Sequence, residues 1–168
     1  MAALFESHDI EKWRDAYDKT IDLPVADTFK GFESVVRRKD EFKDITAMKA
    51  FWHFVDLVCW RHGESGSMQK FLDMGMFDLM HEIMCRVGDE KDGIAIISEM
   101  VNMLRMISRW DGICMNDIMD AVFKTEESKT FALICIEEHL YEDMAFESYV
   151  RSYEIKSRSP MIKSARVG

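Results

Sequence analysis

Three groups of residues in this chain have types and spacings suited to chemistry. The first is Arg61-His62-Gly63-Glu64. An imidazole can accept a phosphoryl group as a covalent intermediate, and a guanidinium fits phosphate oxygens two at a time. His62 would then be the nucleophile and Arg61 the phosphate clamp. The second group is Cys59, His62, His81 and Cys85, all zinc-compatible ligands, with His81 and Cys85 four residues apart on one helical face. The third is Glu90, Asp92, Gly93 and Glu99, which fall at positions 3, 5, 6 and 12 of a calcium-binding loop. Its first position is Gly88 and its eighth is Ala95. Without a carboxylate at the first position a main calcium ligand is missing.

The elements that must hold these residues read as helices. No proline occurs from Val25 to Ser159, and apolar residues recur at three- and four-residue spacing. A first helix is expected over about 8–20 with Ser7 as N-cap, and a second from Pro24 to about Arg38. The segment 46–62, with Thr46 as N-cap and Gly63 as stop, is apolar over most of its circumference. Only Lys49, His53 and Asp56 form a polar stripe, so this helix should be central. Further helices are expected at 67–74, ending at Gly75, and at 76–87, ending at Gly88. The long helix 93–110 follows, broken by Gly112. Helices at 115–124 and 128–147 complete the body. No sustained two-residue alternation argues for a strand.

That setting reshapes the chemistry. Arg61-His62-Gly63-Glu64 resembles the signature of the histidine phosphatase and phosphoglycerate mutase superfamily, which implies phosphoryl transfer with His62 as acceptor and Arg61 on the phosphate. That superfamily places its motif after a first strand and uses a second histidine followed by glycine. Here the motif follows a helix, and His139 is followed by Leu140. Arg61 and His62 read instead as cations favoured by the dipole at a helix C-terminus, with Gly63 ending the helix. Phosphoryl transfer stands as the alternative to a chain without catalysis. Cys59 belongs to an apolar helix, His81 to a polar stripe with Asp78 and Glu82. A buried thiol and a solvated imidazole account for them, so no metal and no cofactor are expected.

The chain also echoes itself. Met76–Met84 lies over Met115–Phe123 without a gap, at an offset of 39. Leu79 meets Ile118, Met80 meets Met119, Ile83 meets Val122 and Met84 meets Phe123. With two residues fewer in the next loop, Ile94 meets Phe131 and Ile97 meets Ile134. A period near 40 suits stacked helical units that cannot cover their own apolar faces. The run Ser67–Met84, a short helix, a glycine and a longer helix, resembles the first two helices of an armadillo repeat, over residues 46–142. Cys114 stands where the second copy would repeat Gly75. The fold expected is all-α, either an armadillo- or HEAT-like stack or an irregular helical bundle. It spans residues 1–150, with a basic tail at 151–168.

Composition sets the function class. The chain has 168 residues and a net charge of −9. The tail carries Arg151, Lys156, Arg158, Lys163 and Arg166 against Glu154 alone. The body is therefore strongly acidic and repels phosphate backbones, so nucleic acid is not an expected partner for it. No apolar run is long enough to span a membrane, and the N-terminus does not read as a signal peptide. Cys59, Cys85, Cys114 and Cys135 lie in apolar segments, so reduced, buried thiols and an intracellular setting are expected. Fourteen methionines fit either a plastic core or an adaptable binding surface. The expected function is a non-enzymatic protein-interaction or scaffold module. Its contact surface is the polar stripe Asn102, Arg105 and Arg109, with Glu138 and His139 on the equivalent helix. Ser98 shares that stripe. Uncovered apolar ends of a short stack would be closed by a protein partner, a larger complex or self-association.

Overall fold

The computed structural model describes residues 10–37, 45–88, 92–138 and 144–152. Among them every regular element is a helix. In chain order they are α1 (Ile10–Ile21), α2 (Val25–Arg37), α3 (Ile45–Glu64), α4 (Met68–Asp73), α5 (Met76–Val87), α6 (Gly93–Asp111), α7 (Met115–Val122) and α8 (Glu126–Glu137), with α9 at residues 144–152. None is long and apolar enough to cross a membrane.

Local chemistry explains most of the boundaries. The Pro24 carbonyl accepts from Asp27 and Thr28 at 2.9 and 3.2 Å, opening α2. Gly75, at φ +100°, supplies the left-handed turn between α4 and α5, a conformation that costs an L side chain energy. α8 opens with a reciprocal cap: Ser128 N donates to Thr125 Oγ1 at 3.2 Å, and Thr125 N donates to Ser128 Oγ at 3.0 Å.

The stop of α3 differs from the expectation. The helix runs through Gly63 to Glu64, and the left-handed glycine is Gly66 at φ +76°. Gly66 N donates to the Gly63 carbonyl at 3.1 Å and Ser67 N to the His62 carbonyl at 2.9 Å. This paired termination satisfies carbonyls that a helix end otherwise leaves open. Gly63 has another reason to be glycine: a Cβ there would stand 2.3 Å from the Trp110 ring.

The expected helix 128–147 is also corrected. α8 ends at Glu137, and residues 144–152 form a separate helix. α9 docks through Phe146 and Val150, both buried, with Phe146 5.8 Å from Phe123. It includes Arg151 and Ser152, which the sequence reading assigned to the tail. Ser7, His139 and the rest of the tail lie outside the described residues.

Packing follows two rows. α2 touches α5, and α5 touches α7; α3 touches α6, and α6 touches α8. α6 also packs on α5 and α7, joining the rows. α3 and α6 run parallel, because Lys49 pairs with Asp92 at one end (3.7 Å) and Trp60 meets Trp110 at the other. Phe32 centres an aromatic cluster, edge-on to Phe51 and Phe54 and stacked on Phe71 at 6.3 Å. Burying such side chains is the dominant stabilising term. Met68, Met76, Met80, Met84, Met100 and Met119 are buried, so these methionines serve the core. The four apolar pairs Leu79/Ile118, Met80/Met119, Ile83/Val122 and Met84/Phe123 are buried in both copies.

Candidate functional site

His62 sits in the last turns of α3, and the chain curls back on it. Its Nδ1 lies 2.7 Å from Ser67 Oγ, which is itself 2.8 Å from Ser65 Oγ. The ring stands edge-on to Phe71 at 4.7 Å. Nε2 is buried and has no hydrogen-bond partner among the described residues. Burial, and then the positive charges of Arg61 and Lys70, push the imidazole pKa down, so the neutral ring is favoured. Arg61 points to solvent. Both residues lie in the last turn of α3, as the dipole argument expects, but neither side chain hydrogen-bonds a helix carbonyl among the described residues. The imidazole is closed in by Phe71 and Ser67, and the segment before it is helix rather than strand.

The described residues of the other two motifs lie apart from one another, except for one pair. Among the described residues no three His, Cys, Asp or Glu side chains gather closely enough to hold a metal ion. Cys59 is buried in the core, while His81 and Cys85 meet each other on α5. His81 is half-buried rather than solvated: its Nδ1 is 2.7 Å from the Val122 carbonyl oxygen. Cys85 is half-buried and Cys114 exposed, so only Cys59 and Cys135 match the expected burial. Of the calcium-type residues, Gly93 starts α6 and Glu99 lies exposed on it, while Glu90 is outside the described residues.

The polar stripe of α6 is largely where the periodicity puts it. Ile97, Met100, Val101, Leu104 and Ile107 face the core; Asn102 and Arg109 are exposed. Arg105 is half-buried, and Ser98 is buried, against expectation. Glu138, just after α8, is exposed.

This stripe borders something the sequence did not reveal. Leu57 and Trp60, one turn apart on α3, are 41% and 37% exposed. The helical pattern placed both in the core. Trp60 stands edge-on to Trp110 at 5.1 Å and 84°, a favoured aromatic geometry. Leu57, Trp60 and the half-buried Trp110 thus form an apolar ridge across the parallel α3–α6 pair. Arg61 and Arg109, each next in sequence to one of the tryptophans, are exposed. Asp56, half-buried on the same side of α3, has its carboxyl pushed up to about 6, chiefly by burial.

No protein-family model matches the chain, and neither do curated proteins or solved structures.

Proposed function

We propose that this chain is a non-enzymatic helical interaction module that docks a protein partner on the α3–α6 face. The observation that carries the reading is the exposure of two large apolar side chains, Leu57 and Trp60, on a helix whose other large apolar side chains from Met48 to Cys59 are buried. Aromatic and arginine side chains in apolar, partly desolvated settings are the residues that most often dominate binding energy. Here Trp60 and Trp110 supply the aromatic surface, and Arg61 and Arg109 the charge. Their chemistry selects a segment with apolar side chains for the ridge and carboxylates for the arginines. Asn102 widens the contact along α6.

The same reading treats the body as an armadillo- or HEAT-like stack of helix pairs, α2 with α3, α5 with α6 and α7 with α8. The two rows of touching helices and the matched burial of the aligned residues support it. Such stacks present equivalent helices side by side as one extended binding surface.

Trp60→Asp tests the assignment. It places a carboxylate on the ridge without touching the Phe32 cluster. Partner binding should fall at least tenfold while the circular dichroism stays unchanged. Sedimentation of the pure wild-type chain distinguishes the occupant: a monomer agrees with a foreign partner, and a dimer broken by Trp60→Asp assigns the face to a second copy.

A further inference from the structure

On other helices, α2 and α5 enclose a groove of about 330 Å³ lined by Val36, Arg37, His81, Glu82, Cys85 and Arg86. Cys85 Sγ lies 3.6 Å from His81 Nε2, and His81 Nδ1 lies 2.7 Å from the carbonyl oxygen of Val122. A carbonyl only accepts hydrogen bonds. In the neutral ring Nδ1 therefore carries the proton, and Nε2 turns its lone pair to the thiol. A nucleophile, a base, and a third group that orients the base are the elements of an activated side chain.

The remaining described thiols lack this arrangement. Burial pushes Cys59 up, and the Asp56 charge adds to it. Burial, followed by the Glu138 charge, pushes Cys135 up to about 12. Cys114 is exposed, and its thiol has no base beside it among the described residues. Cys85 alone among them combines access with a base.

The charges around it have a direction. From α2, Arg37 pairs with Glu33 at 2.6 Å. Beyond α7, Lys124 pairs with Asp78 at 2.7 Å. Glu82 and Arg86 flank the pair on α5 itself. Arg86 shares the groove with Glu82 but is not ion-paired with it or with any other described residue, so its guanidinium stands available beside the thiol. It suits an incoming carboxylate.

We propose that Cys85 is a reactive thiol, with His81 as its base, that forms a mixed disulfide with a small anionic disulfide of the oxidised-glutathione class. Cys85 Sγ attacks one sulfur of the incoming disulfide as its proton passes to His81 Nε2. The new Cys85–sulfur bond forms, the old disulfide bond breaks, and the leaving thiolate takes up the proton. Cys85 is oxidised and the departing half of the reagent is reduced. Arg86 receives a carboxylate of the half that stays.

The test treats the full-length chain with oxidised glutathione and maps the modified peptide by mass spectrometry. Cys85 should be modified first, at least about tenfold faster than Cys114 near pH 6, where an ordinary thiol with pKa about 8.5 is almost wholly protonated. His81→Gln should remove that advantage and move the rate profile to that of an ordinary thiol. Arg86→Gln should slow a dianionic nitrobenzoate disulfide and leave a neutral dipyridyl disulfide unaffected. Where His81→Gln fails to fold, the wild-type profile decides. Cys85 reactivity that persists well below pH 8 supports the proposal; reactivity that rises only around pH 8.5 overturns it. Cys114 reacting first, or a folded His81→Gln with an unchanged profile, also overturns it.

Discussion

A Cβ on Gly63 would stand 2.3 Å from the ring of Trp110. The glycine is a contact point: it lets the indole of α6 lie against the backbone of α3 and meet Trp60 edge-on. Two effects oppose each other in Gly63→Ala. Alanine is better than glycine inside a helix by about 0.5–1 kcal/mol, while overpacking costs about 1–3 kcal/mol. Overpacking wins, so Gly63→Ala should lose stability in urea melts. Adding Trp110→Ala to Gly63→Ala should cost less than Trp110→Ala does in the Gly63 background. Equal costs in both backgrounds would contradict the contact.

Gly66 separates backbone strain from crowding. It has φ +76° and nothing within 4 Å of a would-be Cβ. Gly66→Ala should therefore cost about 1 kcal/mol through the left-handed conformation alone. That cost should be independent of Trp110, in contrast to Gly63→Ala. A melt series on the two single variants and their Trp110→Ala doubles checks it.

These two glycines also show what the sequence could and could not say. A glycine after an apolar run looks the same whether it ends a helix or admits a ring. Gly75 and Gly112 were legible stops; Gly63 was not, because its reason lies 47 positions along the chain, in Trp110. Periodicity placed the core side of α6 and the exposed Asn102 and Arg109. It could not place Leu57 and Trp60, since their exposure depends on which sides of α3 the neighbouring helices leave bare. Likewise the i, i+4 spacing put His81 and Cys85 together, but the Val122 carbonyl that orients the imidazole comes from a separate helix. The Glu137-Glu138 stretch carries no glycine or proline, so the end of α8 gave no local signal.

Asp56 predicts a pH effect. Its carboxyl is raised from 3.8 to about 6 by burial, against the lowering influence of His53 and with a smaller upward push from Glu99. The folded chain thus holds this proton more tightly than the unfolded chain. The associated stability is fully present below about pH 4 and is lost as pH rises through about 6. Asp56→Asn, which mimics the neutral acid, should flatten this loss and raise Tm at pH 7 relative to the wild type. Thermal melts from pH 4 to 8 check it, and parallel curves for the two proteins would contradict it.

The central claim is that the ridge of Leu57, Trp60 and Trp110, together with Arg61 and Arg109, is the partner-binding surface. The most direct measurement is quantitative affinity capture from native extract with four immobilised proteins: the wild type, Trp60→Asp, Arg109→Glu, and Glu127→Lys on α8 as a control. At least one protein should be held by the wild type and by Glu127→Lys. It should be depleted tenfold or more by Trp60→Asp and by Arg109→Glu, a change of about 1.4 kcal/mol or more. The same set of proteins held equally by all four would contradict the account.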